Sequence, residues 1–331
     1  MSHVLVSGAH GFVGSHLARA LLERGDTVRI LDRPDPREAD VGGPRLSGLD
    51  LLGIRDEVEL AEADLRDAGG VNAAVGGSDS VFHLAAQTIV GVARESPLET
   101  LEINVRGAWN VFEACREHGI GRVVFASSDK AYGTSRELPY REDFPLRGAY
   151  PYDASKAAAD IVARSYATAY GLPLAVTRFA NVYGGGDLNF SRLVPETVVA
   201  VLDGRPPVIR SDGSPERDFL HVDDAVAAYL AIADAIDGGG AVGEAFNAGG
   251  ERPHSVREVA ELIAEVAGGS VEPDFQGAGS PDGEIDRQFV DSTKLHELTG
   301  WSPQVELRDG LHRTLDWYRD HPQARPAKVV A

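Results

Sequence analysis

Short runs rich in apolar and β-branched residues alternate with longer stretches of helical periodicity over the first two-thirds of the 331-residue chain. This alternation predicts an α/β fold with a doubly wound parallel sheet, in which ligands bind at the carboxyl ends of the strands. The predicted strands are Val4–Ser7, Thr27–Leu31, Val58–Glu62, Ser80–Leu84, Arg122–Ser127 and Leu174–Phe179. The predicted helices between them include Val13–Arg24, Pro97–His118 and Asp153–Tyr170.

The pattern loosens after about Asn181, where glycine and proline clusters at 184–186, 206–207 and 238–240 indicate turns and loops. We expect this part of the chain to form a smaller lobe laid over the sheet, with more than one crossing between the two lobes. Helices are predicted there at Val194–Asp203, Asp223–Ala235 and Ser255–Ala267. The proline-rich, charged segment Arg33–Arg45 is predicted to be a surface loop.

The formal net charge of −19 argues against binding to nucleic acid or to an anionic membrane surface. No apolar run reaches the roughly 20 residues of a membrane span, and Val4–Val6 leads into a glycine-rich turn rather than a signal peptide. A single cysteine, Cys115, excludes an internal disulfide and favours a cytoplasmic protein. His3, His10 and His254 lack metal-ligand spacing, so no metal is expected.

Gly8, Gly11 and Gly14 are spaced Gly-x-x-Gly-x-x-Gly between the first predicted strand and the first predicted helix. Such glycines let the backbone approach a pyrophosphate, and the helix N-terminus, here with Phe12 and Val13, supplies amide donors. A tight structural turn is the alternative. The motif, with the acidic residue discussed next, predicts a dinucleotide-binding Rossmann domain over residues 1–180 and a mainly substrate-binding lobe over 181–331.

Asp32 ends the second predicted strand at the distance expected for a ligand of both ribose hydroxyls. A carboxylate there repels a 2′-phosphate and favours NAD over NADP, although the adjacent Arg33 could accept that phosphate. Asp64 and Leu65 follow the third strand, where an adenine edge could bind; a helix cap is the alternative for Asp64. Further cofactor contacts are expected at the ends of the later strands, from Leu84, Ala85, Ala86, Ser127 and Phe179.

Tyr152 and Lys156 form a Tyr-x-x-x-Lys pair, which places both side chains on one face of a predicted helix. A nearby ammonium and a cationic cofactor ring would lower the pKa of the Tyr152 phenol. The phenolate could then take the proton of an alcohol. A chance surface pair is the alternative, but the glycine-rich turn and Ser128, at the end of the preceding strand, favour a catalytic group.

These residues, with His83-Leu84-Ala85-Ala86, Asn181 and Arg217–Asp224, resemble the extended short-chain dehydrogenase/reductases, in particular the NAD-dependent nucleotide-sugar epimerases and dehydratases. The resemblance extends nearly over the whole chain. It implies a tightly held NAD and a C-terminal lobe that binds a CDP-, UDP- or dTDP-linked hexose. It also implies a homodimer that pairs through the helices Pro97–His118 and Asp153–Tyr170.

Asp129 and Lys130 determine which branch of that family the chain resembles. The 4-epimerases usually carry small or hydroxyl residues after the catalytic serine or threonine, whereas an Asp-Lys pair is similar to CDP-glucose 4,6-dehydratases. That reaction oxidises sugar C4, eliminates water across C5–C6 and returns hydride to C6. Asp129 would be the acid, and Lys130 the base or the group that stabilises the enolate.

Several alternatives stay open at this point. A 4-epimerase, a UDP-uronate decarboxylase and an NAD-binding module without turnover would each fit part of the pattern. Asp129 and Lys130 could also be a solvated pair on a loop. By resemblance Asn181 and Arg217 would contact the diphosphate. Ser128 is also expected to contact the substrate, and Leu193 is a further candidate. Weaker candidates for binding the substrate, which could equally be surface or loop residues, are Gln87, Arg192 and Arg210.

Overall fold

The computed structural model describes residues 2–33, 46–250, 252–279 and 285–326. Apart from Arg33, the predicted surface loop Arg33–Arg45 lies outside the described residues. Within those ranges, none of the helices combines the length and the apolar character that crossing a membrane requires.

Six of the strands that form the central sheet coincide with the predicted strands to within one residue at either end. The strands are β1 His3–Ser7, β2 Thr27–Asp32, β3 Glu59–Glu62, β4 Ser80–His83, β5 Arg122–Ala126, β6 Leu174–Phe179, β7 Asn181–Tyr183, β8 Val208–Ile209, β9 Glu216–Arg217, β10 Phe219–His221, β11 Ala245–Ala248, β12 His254–Ser255, β13 Asp274–Phe275 and β14 Arg287–Gln288. The central sheet has seven parallel strands in the order β11-β6-β5-β4-β1-β2-β3. The predicted doubly wound α/β fold is therefore confirmed.

The helices of the described residues are α1 Phe12–Glu23, α2 Gly48–Leu51, α3 Ala68–Val75, α4 Val90–Glu95, α5 Pro97–Leu101, α6 Gly107–His118, α7 Pro151–Tyr170, α8 Leu193–Leu202, α9 Val222–Asp237, α10 Val256–Val266, α11 Thr293–Thr299 and α12 Leu307–Asp320. The helix predicted at Pro97–His118 is thus not continuous, because a π-helical turn, Glu102–Arg106, separates α5 from α6. Such turns are rare and concentrate at functional sites. Apolar spacing did not reveal this one, since a single widened turn leaves the helical pattern on both sides intact.

Two apolar layers cover the central sheet. On one side α1 and α9 pack on it through residues such as Leu17 and Ile232, and on the other α3, α6 and α7 pack through residues such as Phe112 and Ala163. A third cluster joins α8, α10 and α12. The chain after residue 180 supplies both β11 of the central sheet and this third cluster; the division into domains at residue 180 stays a prediction.

Candidate active site

The glycine-rich turn connects β1 to α1, and at Gly8 and Gly14 it leaves no room for a side chain. Gly8 has φ +82°, and a Cβ there would lie 2.7 Å from the amide nitrogen of Ala85. A Cβ on Gly14 would lie 2.5 Å from the carbonyl oxygen of Gly8. Gly11 precedes α1, and no side chain caps this helix, so the amides of its first turn, at Phe12 and Val13, are available to an anionic group.

Asp32 lies at the end of β2 and is held against this turn by two backbone amides. Its Oδ2 accepts a hydrogen bond from the amide of His10 at 3.1 Å, and its Oδ1 accepts one from the amide of Arg33 at 2.9 Å. Burial raises the pKa of the carboxyl, and the charges and amides of His10 and Arg33 oppose that change. The Arg33 residue itself is exposed.

The segment opposite Gly8 is fixed by a buried pair, Ser7 and His83. Ser7 Oγ accepts hydrogen bonds from the amides of Leu84 at 3.1 Å and Ala85 at 3.2 Å, and it lies 2.7 Å from Nδ1 of His83. Because both lone pairs of the hydroxyl are used, we assign its proton to the hydrogen bond with Nδ1. Burial lowers the pKa of His83 to about 3, so the imidazole stays neutral as this acceptor requires.

The residues predicted near an adenine occupy different environments. Asp64 forms an ion pair with Arg66 at 2.7 Å, and the hydrogen bond from this guanidinium is the main cause of its lowered pKa. Helix α3 is capped by Asp67, whose side chain accepts from Gly69, and not by Asp64. Leu65 is buried, and its carbonyl accepts a hydrogen bond of 2.8 Å from Asn110 of α6.

Tyr152 and Lys156 lie in the first turns of α7, and both are buried. Lys156 Nζ donates to the carbonyl of Ala126 at 2.9 Å, and burial lowers its pKa to about 8. Burial raises the pKa of Tyr152 to about 12, against the opposing effects of the Arg192 guanidinium and the Ser128 hydroxyl. The expected lowering of the phenol pKa is therefore not produced by the protein alone, because desolvation outweighs the surrounding charges.

Ser128, Asp129 and Lys130 follow β5, where Ser128 caps a single 3-10 turn, Asp129–Tyr132. Ser128 Oγ donates to Asp129 Oδ1 at 3.2 Å and accepts from the amide of Lys130 at 3.2 Å. Asp129 is only 3% exposed, its Oδ2 has no hydrogen-bond partner, and burial raises its pKa. Asp129 is thus a buried carboxyl rather than half of a solvated pair.

The two predicted diphosphate ligands lie on short strands, on either side of Asp218. Asn181 is on β7, and its Nδ2 donates to the carbonyl of Asp218 at 3.2 Å. Arg217 is buried on β9, where Nη1 donates to the carbonyls of Glu216 and Asp286, and its charge acts on Asp129.

The weaker substrate candidates are more dispersed. Arg192 forms an ion pair with Asp187 at 3.0 Å immediately before Leu193, the first residue of α8. Arg210 is exposed beyond β8. The Gln87 amide is engaged at both ends, since Oε1 accepts from the amide of Ile89 and Nε2 donates to the Ile89 carbonyl and to Thr100. Its role as a sugar ligand stays a prediction that this geometry does not favour.

Asn104, in the π-helical turn, is a site residue that the sequence analysis missed. Its Oδ1 accepts from the Gln87 amide, while Nδ2 donates to the Gln87 carbonyl and to Ser155 Oγ at 2.9 Å. Ser155 in turn donates to the carbonyl of Tyr152 at 2.7 Å. Asn104 thereby connects the loop after β4 to the start of α7. The signal in the sequence that could have revealed Asn104 is a polar residue on an otherwise core-facing helix.

Three further buried polar residues surround Asp129 and were not singled out. Burial raises the pKa of Asp153 to about 6 and that of Asp218 to about 7, and the charge of Asp129 adds to both increases. Asp218 Oδ1 accepts from the amide of Gly250 at 2.6 Å. Gln288, on β14, is fully buried, and neither of its amide atoms has a hydrogen-bond partner.

Fold and site together define a Rossmann-type enzyme, and comparison with known proteins identifies its family. A model of the NAD dependent epimerase/dehydratase family matches residues 4–249. The chain is 33% identical to a dTDP-glucose 4,6-dehydratase of Streptomyces griseus, over 97% of this chain and 95% of that protein. It is 34% identical to a UDP-glucose 4-epimerase of Mycolicibacterium smegmatis, over 96% of this chain and 99% of that protein. The chain belongs to the NAD-dependent epimerase/dehydratase family.

A solved structure agrees with this assignment. The dTDP-glucose 4,6-dehydratase of Streptomyces venezuelae, crystallised with NAD, superposes with a TM-score of 0.85 at 31% identity, over 97% of this chain and 98% of that one. The protein is therefore an NAD-dependent enzyme, and the residues present fit NAD. A Cβ on Gly8 or Gly14 would collide with the backbone, and α1 begins without a side-chain cap. Asp32 ends β2, and the buried Ser127 Oγ lacks a partner.

Proposed function

We propose that this protein is a nucleotide-sugar 4,6-dehydratase that converts an NDP-hexose into the 4-keto-6-deoxy sugar nucleotide and water. The observation that carries the proposal is Asp129, a buried carboxyl with a raised pKa, whose Oδ1 accepts from Ser128 and whose Oδ2 has no hydrogen-bond partner. Elimination of water needs such an acid. A 4-epimerase, in which the 4-keto sugar only rotates before reduction, needs no group beyond Ser128 and Tyr152.

The first step of the proposed reaction removes the C4 hydroxyl proton. Tyr152 accepts this proton, and the Ser128 hydroxyl donates a hydrogen bond to the sugar oxygen. NAD, when bound, supplies the hydride acceptor and a positive charge that adds to the Lys156 ammonium. Because burial alone places the pKa of Tyr152 near 12, these charges have to favour the phenolate at neutral pH.

The second step eliminates water across C5–C6 of the ketone. Lys130 takes the proton from C5, which the C4 carbonyl acidifies, or stabilises the enolate that forms. Asp129 gives its proton to the departing C6 hydroxyl, so water leaves. C5 then regains a proton from Lys130 or from solvent, and C6 receives the hydride equivalent that C4 lost. Tyr152 releases the proton that it took and Asp129 regains one, both by exchange with solvent, so the groups return to their starting state. The sum is the loss of one water molecule with no net oxidation.

Substrate recognition is assigned to the predicted diphosphate ligands, Asn181 and Arg217, with Arg192 near Tyr152 as a further cation. Arg217 suits a diphosphate because its fork of donors binds phosphate oxygens in pairs. The Asp129-Lys130 pair favours a CDP-sugar by resemblance, whereas the relatives named above act on dTDP-glucose or UDP-glucose. All three nucleotides therefore belong in the test.

Incubation with CDP-, UDP- and dTDP-glucose tests the proposal. We expect one of them to give a 4-keto-6-deoxy product, seen as near-ultraviolet absorbance in alkali. A product with inverted C4 and no keto sugar would establish the 4-epimerase, the second candidate, which is favoured by the 34% identity to an epimerase.

Asp129→Asn separates the two chemical steps of the proposed reaction. Oxidation at C4 should persist in this variant while water loss stalls, because the amide has no acidic proton to give to the C6 hydroxyl. Asp143→Asn, at a carboxyl paired with Arg141 on the surface, is the matched control and should behave as wild type. A small, equal slowing of both steps in Asp129→Asn would contradict the role of Asp129.

A homodimer in the cytoplasm is also part of the proposal. Leu98, Ile161 and Trp109 are 71%, 55% and 41% exposed on neighbouring helices, although all three are large and apolar. Pairing of these faces would cover them. Light scattering at micromolar concentration should give twice the chain mass, and Ile161→Glu should shift it toward a monomer. A monomeric wild type would contradict this assembly.

The cytoplasm is inferred from the single cysteine, Cys115, which is buried.

A further inference from the structure

Gln288 and Asp129 are two buried side chains with unused hydrogen-bonding atoms in the same cluster. Gln288 is 0% exposed and neither Oε1 nor Nε2 has a partner. Asp129 Oδ2 is likewise buried and without one. Buried polar groups in native proteins almost always have partners. An unpaired amide next to an unpaired carboxyl oxygen therefore indicates a contact made during function.

The backbone around Gln288 is held firmly in a position near Asp129. Strand β14 runs parallel to β9 with Gln288 opposite Arg217, and the Asp218 amide donates to the Gln288 carbonyl at 3.1 Å. Strand β12 pairs with β9 on its other side. Arg217 and Asp218 both interact electrostatically with Asp129. The Gln288 amide lies close enough to act on the Asp129 carboxyl as a hydrogen-bonding group that lowers its pKa, although the two side chains do not meet in hydrogen-bond geometry. The small sheet thus places the amide on the Asp129 side of the site.

We propose that Gln288 is a positioning residue for Asp129, whose Oδ2 accepts a hydrogen bond from Gln288 Nε2 in the substrate complex. With Oδ2 engaged in this way, the acidic proton resides on Oδ1, the oxygen beside Ser128. The carboxyl is then oriented to give that proton to the C6 hydroxyl. This inference rests on the proposed dehydratase function, because a 4-epimerase has no use for an oriented acid here.

The proposed hydrogen bond has a consequence for pH. An amide that donates to a carboxyl stabilises the ionised form more than the acid, so removing it raises the pKa of the carboxyl. Water loss requires protonated Asp129 and fails as pH rises through that pKa. Loss of the amide should therefore move the alkaline limb of the pH profile to higher pH. The titratable and charged groups that also act on Asp129 stay in place: Lys130, Tyr140, Tyr152, Asp153, Arg217 and Asp218.

Gln288→Met tests the proposal, because methionine keeps the volume and removes both polar atoms. The substrate is whichever of CDP-, UDP- or dTDP-glucose the wild type converts. In a single turnover, absorbance of the reduced cofactor reports C4 oxidation, and the keto product reports water loss. We expect oxidation at the wild-type rate, water loss slowed about tenfold, and an alkaline limb at higher pH.

Two further variants distinguish loss of the Gln288 amide from a general change in folding. Gln276→Leu removes an exposed glutamine of the same lobe, bonded to Asp274, and should match wild type in every measurement. Gln288→Glu keeps the shape and adds a second carboxyl; the pair then competes for one proton, so the alkaline limb should move further up. If Gln288→Met does not fold, the position of the alkaline limb in the pH profile of Gln288→Glu tests the proposal by itself.

Two results overturn the inference while leaving the dehydratase intact. One is equal slowing of oxidation and water loss with an unmoved alkaline limb, which is what a purely structural role produces. The other is a variant identical to wild type. A wild type that releases no keto product from any of the three sugars overturns the proposed function itself, and the role of Gln288 with it.

Discussion

The two halves of the site, both at the carboxyl edge of the central sheet, are built on different principles. Apart from the Asp32 carboxyl, the cofactor half is built mainly from close backbone contacts and neutral groups, such as Gly8 against Ala85 and the hydroxyl of Ser7 against a neutral His83. The substrate half holds buried carboxyls with raised pKa values, among them Asp129 and Asp218. The first half should therefore be sensitive to added volume, and the second to proton concentration.

The largest expected effect comes from removing the proton acceptor at the boundary between the halves. Tyr152→Phe should lower turnover about a thousandfold, the usual size of a general acid–base contribution, while NAD retention stays unchanged. Turnover of the nucleotide sugar and the cofactor content of the purified protein measure the two quantities. Tyr150→Phe is the control, because Tyr150 lies two residues away, before α7, and is partly exposed. Comparable losses in both variants would contradict the assignment.

Added volume should damage the cofactor half next most strongly. Gly8→Ala combines a φ of +82° with a Cβ 2.7 Å from a backbone nitrogen, so we expect about 3 kcal/mol of lost stability and loss of NAD. Gly25→Ala is matched in φ, at +85°, but meets no atom within 4 Å. It should cost about 1 kcal/mol and retain NAD. Denaturant unfolding and cofactor content measure both. Equal effects would show that backbone conformation, not the contact with Ala85, dominates.

Ser7→Ala tests the polar part of the same half. It leaves the amide of Ala85 and the Nδ1 of His83 without their partner, while the amide of Leu84 keeps only its bond to the Ser7 carbonyl, so we expect NAD affinity to fall about tenfold. Titration of the cofactor-free protein with NAD measures this change. Ser165→Ala removes an exposed hydroxyl that bonds only to Val162 and should leave the affinity unchanged. An unaltered affinity in Ser7→Ala would mean that the wall of the cofactor site does not depend on this pair.

The smallest expected effect is on the pH dependence of stability, which a buried carboxyl in the substrate half produces. The folded-state pKa of Asp218 is raised from 3.8 to about 7, so ionisation as pH rises from 4 to 8 destabilises the folded state relative to the unfolded one. The Asp218→Asn variant cannot ionise at this position, so raising the pH does not destabilise its folded state in this way. Its Tm relative to wild type should be higher at pH 8 than at pH 4 by about 3 °C or more.

Asp212→Asn serves as the control for that comparison. Asp212 lies on the surface, and a hydrogen bond from Ser214 is the first cause that lowers its pKa to about 2. It is ionised at both pH 4 and pH 8, so its replacement should change Tm equally at the two values. A Tm difference for Asp218→Asn that does not depend on pH would show that folding does not raise the pKa of this carboxyl.

The same contrast explains what the sequence predicts well. The cofactor half follows from local signals: strand ends lie within a residue of prediction, and the Gly8–Gly14 turn and Asp32 lie on consecutive elements. The substrate half is assembled from segments far apart in the chain. Gln288 and Asp218 meet Asp129 only through the pairing of β9 with β14, two-residue strands that no periodicity reveals.

Two other outcomes depend on burial, which spacing does not give. The Tyr-x-x-x-Lys pattern favoured a lowered phenol pKa, yet burial raises the pKa of Tyr152 to about 12. The side-chain amide of Gln87 is used by Ile89 and by Thr100 of α5, and the hydrogen bonds of Asn104 to Gln87 and Ser155 depend on the folded packing. Residue type and order predicted which groups carry the chemistry, whereas the magnitude of their pKa shifts required the packing.

The proposed dehydratase reaction depends on elimination of water at C5–C6, and one reaction in deuterated water tests that step directly. The wild-type enzyme, given the nucleotide sugar that it converts, should yield a product that has lost one water and carries one solvent deuteron at C5, since that position is deprotonated and reprotonated. Mass spectrometry and proton NMR of the product measure both changes. A product with the mass of the substrate, an inverted C4 and no deuterium would contradict the dehydratase account.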